Sequence, residues 1–135
     1  MAGYSSTPLW KKLGYKPSLA AYVESPPEGY IALLDLPPTI TIDWLGKAAQ
    51  GIGFVHLFTT EAVSLQKKLS KLRNLVASDG VVWVSWPKKS SRVATDVTED
   101  VIRAIALPLG FVDIKVCAVD EVWSGLKLMV RKTER

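Results

Sequence analysis

The residue types that most often carry proton transfer or nucleophilic chemistry are scarce in this sequence. It contains one histidine, His56, and one cysteine, Cys117. Both lie in apolar, strand-like runs with no acid or base identifiable beside them, so neither is predicted to be catalytic. No Cys/His cluster has the spacing of metal ligands, and the sequence indicates no metal and no cofactor.

A group of charged and aromatic residues in the last third is the strongest candidate for binding. The basic loop that follows Trp86 precedes a predicted helix, and a helix N-terminus beside lysines favours a phosphate or a carboxylate. A second polar stretch, around Asp120, precedes the last predicted strand. The candidate ligand-binding residues are Trp86, Lys88, Lys89, Ser90, Arg92, Asp120, Glu121 and Trp123.

Structural roles for the same residues are also consistent with the sequence. Lys88 or Lys89 could pair with an acidic residue of the second stretch, in a surface ion pair worth about 0 to 1 kcal/mol. Trp86 and Trp123 could form an aromatic platform for a ring, or they could pack in the core. The sequence leaves these alternatives open.

The hydrophobic pattern predicts alternating strands and helices. Strands are predicted at 18–23, 39–44, 54–58, 80–87, 112–118 and 126–130, and residues 30–36 are ambiguous between helix and strand. Helices are predicted at 7–14, around the apolar stripe of Leu65, Leu69, Leu72 and Val76, and at 96–107. Asp96 and Glu99 form a capping-box-like start to the last helix, whose predicted apolar face is Val97, Val101, Ala104 and Ile105.

This order of elements resembles a shortened class I methyltransferase, in which the last strand turns back between the edge and the centre of the sheet. The segment 12–17, which leads into the first strand, is similar to the approach to the first cofactor motif of such enzymes. Where a Gly-x-Gly turn would follow, this chain has Val23 Glu24 Ser25 Pro26 Pro27 Glu28 Gly29. The adenosyl-binding residues of the family are therefore not carried over.

The resemblance implies a single Rossmann-like α/β domain over residues 1–135, with a short N-terminal helix in residues 1–17. Its sheet is expected to have five or six strands, mostly parallel, with an antiparallel C-terminal strand and helices on both faces. Ligands of open α/β sheets bind at the carboxyl ends of the strands. We therefore expect the loops after residues 58, 86 and 119 to meet at one edge and bring the candidate residues together.

A second resemblance covers almost the whole chain and rests on four blocks of sequence. The blocks are residues 3–9, 83–89, 95–101 and 115–127, and they are similar to a family of small bacterial proteins known only as a conserved domain of unknown function. This resemblance implies a bacterial, cytoplasmic protein and no particular activity.

Length and charge limit the remaining possibilities. The chain has 135 residues and a formal net charge of +4, and a lone cysteine forms no internal disulfide. No apolar run reaches the roughly 18 residues of a membrane span, so we expect a soluble protein without a membrane partner. Basic residues occur in separate blocks around Lys11, from Lys67 to Arg73 and from Lys88 to Arg92, which keeps nucleic-acid binding as an alternative.

The sequence-based interpretation is a non-catalytic binding or regulatory module whose partner is an anionic small molecule or a protein. It is favoured because no catalytic constellation assembles and the cofactor loop is missing. The alternative is a small enzyme acting on an anionic ligand, such as a relic methyltransferase-like protein, and the second alternative is nucleic-acid binding.

Overall fold

The computed structural model describes residues 7–135, so residues 3–6 of the first bacterial-family block lie outside the described part. The four helices are α1 (Leu9–Leu13), α2 (Tyr30–Leu34), α3 (Ala62–Leu75) and α4 (Glu99–Ala106). The six strands are β1 (Ala20–Glu24), β2 (Asp43–Trp44), β3 (Ile52–Phe58), β4 (Val76–Pro87), β5 (Phe111–Ala118) and β6 (Trp123–Val130).

All six strands form one sheet in the order β2-β1-β3-β4-β6-β5. Strands β1 to β4 are mutually parallel, while β6 is antiparallel to both of its neighbours, β4 and β5. The predicted fold is confirmed: a Rossmann-like, mostly parallel α/β sheet whose C-terminal strand turns back between the edge and the centre.

Helices cover the sheet on both faces. On the first face, α3 and α4 pack through the predicted stripe of Leu65, Leu69 and Leu72 and through Ile102. On the second face, α1 and α2 pack around Trp83, which is fully buried and donates its indole N–H to the carbonyl of Leu13 at 2.7 Å. The central strands are therefore buried on both sides, as their continuous apolar runs require.

Two strands differ most in extent from their predictions. The predicted strand at 39–44 is reduced to Asp43–Trp44, because a turn in which the N–H of Ile40 bonds the carbonyl of Pro37 precedes it. Strand β4 begins at Val76, ahead of its predicted start at Gly80. A Cβ at Gly80 would lie 3.0 Å from the carbonyl oxygen of Ala77, so this glycine serves a close backbone approach inside the strand.

The predicted cap of α4 is wrong. Thr98 is the N-cap, and its hydroxyl accepts the N–H of Val101 at 3.1 Å. Asp96 instead accepts the N–H of Ala62 at 2.7 Å, so its carboxylate caps the start of α3. Two helices thus begin at neighbouring loops, each with a side-chain acceptor for one free amide of its first turn.

The apolar face of α4 also differs from its prediction. Ile102 and Ala106 are the buried residues of this helix, whereas Ala104 is exposed and Val101 and Ile105 are half-buried. Ile102 faces the sheet, whereas Val101, Ala104 and Ile105 line the groove between α4 and α3.

Strand β5 lies at the sheet edge and leaves two of its apolar residues exposed. Ile114 is 48% and Val116 is 49% accessible. The pairing of β5 with β6 shifts register between Asp113 and Lys115, and such an irregularity interrupts the alternation of side chains between the two faces. None of the described helices is long and apolar enough to cross a membrane.

Candidate functional site

The loops that follow β1, β3, β4 and β5 all lie at the carboxyl edge of the parallel strands, as the sheet topology requires. The Lys88–Arg92 loop and the Asp120–Trp123 loop meet there, because β4 and β6 pair up to Pro87 and Trp123. The sequence therefore predicted correctly that these two polar stretches are neighbours.

Lys88 joins these two loops rather than facing a ligand. Its backbone N–H donates to the carbonyl of Val122 at 2.7 Å, and its ammonium donates to the carbonyl of Asp120 at 2.7 Å. The expected side-chain ion pair is not the contact that forms. Lys88 is therefore placed as an anchor of the loop.

The carboxylate of Asp120 likewise stabilises the turn that contains it. One carboxylate oxygen accepts the N–H groups of Val122 at 2.8 Å and Trp123 at 2.7 Å. Glu121 is exposed and lines a cavity of about 380 Å³ beside Lys12 and Asp35, on the α1 side of the sheet. A different cavity, of about 520 Å³, lies beside Lys89, and neither Asp120 nor Glu121 lines it.

The two tryptophans of the predicted platform lie on opposite faces of the sheet. Trp86 packs with Val97 in the cluster under α3 and α4. Trp123 contacts Phe58 edge-on on the other face, with ring centroids 5.1 Å apart. The aromatic platform is therefore wrong, because Trp123 pairs with Pro87 rather than with Trp86 and the faces alternate along a strand.

A cavity of about 520 Å³ remains beside the basic loop, at the start of α4. Lys89 and Arg92 lie at its surface, and neither side chain makes a hydrogen bond or ion pair within residues 7–135. Ser90 does not line it. Thr95 and Thr98 also line this cavity, and neither was predicted as a site residue. Threonines just before a helix are a signal for its start, and that signal could have identified them. The lining consists of Trp86, Pro87, Lys89, Arg92, Val93, Ala94, Thr95, Val97, Thr98 and Glu99.

Another cavity, of about 400 Å³, lies at the carboxyl ends of β1 and β2, where no site residue was predicted. Trp44 forms part of its wall and is 37% accessible, and Ile31 is 55% accessible. Its position after the first strand was the available signal. The lining consists of Val23, Pro26, Pro27, Gly29, Tyr30, Ile31, Ala32, Trp44 and Leu45. We call it the Trp44 cavity.

The loop after β1 has the unusual backbone that its sequence suggests. Ser25 adopts φ +53° and Gly29 adopts φ +78°, both in the left-handed region. Pro26 and Pro27 have no backbone N–H to offer a ligand. This loop therefore presents apolar rings where a glycine-rich turn would present amides.

His56 is fully buried in a chain of side-chain hydrogen bonds. Its Nδ1 lies 2.8 Å from the hydroxyl of Tyr30, and its Nε2 lies 2.7 Å from the hydroxyl of Ser85. The Tyr30 hydroxyl in turn lies 2.7 Å from that of Tyr15. Burial lowers the pKa of His56 from 6.5 to about 3, so the imidazole is neutral at physiological pH.

Cys117 is half-buried in β5, and burial raises the pKa of its thiol. A thiol with a raised pKa is a poor nucleophile, because the thiolate is the reactive form. Within the described residues, no group of three or more His, Cys, Asp or Glu side chains could hold a metal ion.

The basic blocks do not form one surface. Lys11 and Lys12 lie on α1, which packs on the second face, and the block from Lys67 to Arg73 lies on α3, which packs on the first. A continuous cationic path for a nucleic acid is therefore not formed by these blocks.

Several solved structures similar to this chain are methyltransferases, and others contain SAM or SAH. A putative type 11 methyltransferase from Sulfolobus solfataricus matches with a TM-score of 0.65 and 13% identity, over 94% of this chain and 92% of that one. A SAM-dependent methyltransferase from Aquifex aeolicus matches with a TM-score of 0.63 and 12% identity, over 89% and 86%. PigF with SAH matches with a TM-score of 0.62 and 10% identity, over 93% and 62%.

No protein-family model matches this sequence, and no curated protein matches it. At these identities the structural similarity shows the fold, which is the Rossmann-like fold of class I methyltransferases. The interpretation as a non-catalytic binding or regulatory module is wrong. The structural neighbours include a SAM-dependent methyltransferase and proteins with SAM or SAH bound, and they support the methyltransferase-like alternative. The bacterial-family resemblance stays a prediction.

Proposed function

We propose that this protein is a methyltransferase-like enzyme that binds an adenosyl ligand in the Trp44 cavity. The observation that carries the proposal is the place of this cavity, at the carboxyl ends of β1 and β2 in a methyltransferase-like sheet. Ligands of open α/β sheets bind at that edge, and about 400 Å³ falls within the range of small-molecule pockets.

The lining fits the nucleoside part of such a ligand. Trp44, Pro26 and Pro27 offer apolar surfaces to a purine ring, and Leu45 and Ile31 extend them. Stacking of a base on an aromatic side chain contributes about 1 to 3 kcal/mol. Trp44 is therefore the residue expected to contribute most to binding.

The lining does not fit the amino-acid part of adenosylmethionine in the same way. None of the residues that line the Trp44 cavity carries a charge, and the two prolines offer no N–H to a carboxylate. Adenosylmethionine supplies an activated methyl group when it is bound. In this chain the contacts that support binding are those to the nucleoside.

We also propose that the cavity beside the basic loop binds an anionic molecule. Lys89 and Arg92 supply two cations, and Trp86 supplies an apolar wall. Ser90 and Glu121 lie outside this lining, and Lys88, Asp120 and Trp123 support the loop and the sheet instead. The proposed anion site thus includes fewer of the candidate residues than the sequence suggested.

Isothermal titration calorimetry with S-adenosylhomocysteine tests the adenosyl site. The wild-type protein is expected to bind, and Trp44→Ala is expected to weaken binding by about tenfold or more, which corresponds to about 1.4 kcal/mol. Val63→Ala is the matched control, because Val63 is exposed on α3 and lies outside the cavity. Absence of binding to the wild type, or equal binding to Trp44→Ala, would overturn the proposal.

A further inference from the structure

Another cavity, of about 410 Å³, lies on the face of the sheet that carries α3. Its lining consists of Tyr22, Glu24, Lys47, Ala48, Leu57, Lys68, Lys71, Leu72 and Leu75. Tyr22 and Val23 are consecutive residues of β1 and so point to opposite faces; Val23 lines the Trp44 cavity. The two cavities are therefore separated by the sheet.

The polar groups at the base of this cavity near α3 are already paired. The hydroxyl of Tyr22 donates to one carboxylate oxygen of Glu24 at 2.8 Å, and Lys68 forms an ion pair with the other oxygen. Burial and the neighbouring carboxylate raise the pKa of Tyr22 to about 12, which keeps this phenol protonated and able to donate. The charge of Glu24 is thus balanced by Lys68.

Two lysines on the rim have no such partner. Lys47 precedes β3 and Lys71 lies on α3; both are exposed, and neither side chain forms a hydrogen bond or ion pair with any residue in 7–135. The lining holds three lysines and one glutamate, which leaves two positive charges. Two unpaired lysines thus border a single cavity.

The floor between these lysines is apolar. Leu57 and Leu72 are almost fully buried, and Leu75 and Ala48 are half-buried around them. Cations at a rim and an apolar floor match a ligand with a negative head group and an apolar body.

We propose that this cavity binds a small organic anion, with its phosphate or carboxylate group between Lys47 and Lys71 and its apolar body over Leu57, Leu72 and Leu75. This site is additional to the adenosyl site and does not depend on it. The Lys68–Glu24 pair closes the base of the cavity and fixes Lys68 away from the ligand.

Titration of the ¹⁵N-labelled protein at low ionic strength tests this site, with phenyl phosphate and benzoate as separate probes and benzyl alcohol as the uncharged reference. Saturable shifts of the α3 amides near Lys71 are expected with at least one anion, and the two arms distinguish a phosphate from a carboxylate ligand. The Lys47→Ala, Lys71→Ala double variant is expected to weaken that binding by about tenfold or more, since both charged contacts are lost.

Lys67→Ala is the matched control, because Lys67 is an exposed lysine on the same helix that lines the groove toward α4. Equal binding by the double variant, equal binding of benzyl alcohol, or no saturable binding of either anion would overturn the proposal. Trp44→Ala is expected to leave this binding intact, so failure of the adenosyl site and failure of the anion site give different results.

Discussion

The hydroxyl of Tyr30 lies 2.8 Å from Nδ1 of His56, and this contact joins α2 to the centre of the sheet. The chain of hydrogen bonds continues to Tyr15 on one side and to Ser85 on the other. Tyr30 also lines the Trp44 cavity. The only histidine of the sequence therefore positions the wall of the proposed ligand site, although it is too deeply buried to reach a ligand.

The burial of His56 predicts a loss of stability in mild acid. Burial lowers the pKa of His56 from its ordinary value of 6.5 to about 3 in the folded protein, so between these values the unfolded chain binds a proton that the folded protein does not. The free energy of unfolding should therefore fall as the pH drops below 6.5, by up to about 1.4 kcal/mol per pH unit. Burial raises the pKa values of Tyr15 and Tyr30, so both stay uncharged there.

Urea denaturation at pH 7 and pH 5 measures this effect. The His56→Gln variant keeps a polar side chain but cannot gain the proton, so its stability should change less between the two pH values. If the stability of His56→Gln falls between pH 7 and pH 5 by as much as that of the wild type, then other groups cause the acid sensitivity.

Gly110 is expected to resist substitution by any other residue. It adopts φ +100°, and a Cβ there would lie 2.8 Å from Nε of Arg73, whose guanidinium also pairs with Glu134. Gly110→Ala should therefore destabilise the protein by about 1 to 3 kcal/mol, because the left-handed backbone is strained and Arg73 must move. Gly46→Ala is the control, since nothing lies within 4 Å and its φ is not positive. Equal thermal melting of the two variants would contradict this account.

The order of elements and the buried stripe of α3 could be predicted from the sequence, because both depend on local periodicity. Leu65, Leu69 and Leu72 are buried as that stripe requires. The function of Asp96 could not be predicted in the same way. Its carboxylate bonds the amide of Ala62, which is 34 residues away in the sequence. Local spacing indicates that an aspartate caps a helix, but not which helix.

The candidate site was predicted in position and only partly in composition. The meeting of the two polar loops follows from the sheet topology. Which residues of these loops stabilise the structure and which line a cavity depends on strand register and hydrogen bonding, and sequence spacing does not predict these. Trp86 and Trp123 are separated by one residue of offset in the β4–β6 pairing, and that offset places them on opposite faces.

Lys88 and Lys89 are adjacent in sequence but are predicted to differ in their effect on stability. Lys88→Ala removes a hydrogen bond from an ammonium to the carbonyl of Asp120, a contact worth about 1.5 to 3 kcal/mol when the donor is charged. Lys89 is exposed, and its side chain has no such partner among the described residues. Chemical denaturation should show a loss for Lys88→Ala and little change for Lys89→Ala. A larger loss of stability for Lys89→Ala than for Lys88→Ala would contradict this account and indicate that Lys89 anchors the loop.

The most direct test of the adenosyl site uses the indole signals of the five tryptophans in a ¹⁵N-labelled sample. Titration with S-adenosylhomocysteine should shift the signal of Trp44, assigned by its loss in Trp44→Ala. The signal of Trp83 should stay in place, because that indole is buried and bonded to the carbonyl of Leu13. An unchanged Trp44 signal at saturating ligand, or a shift confined to Trp86, would contradict an adenosyl ligand in the Trp44 cavity.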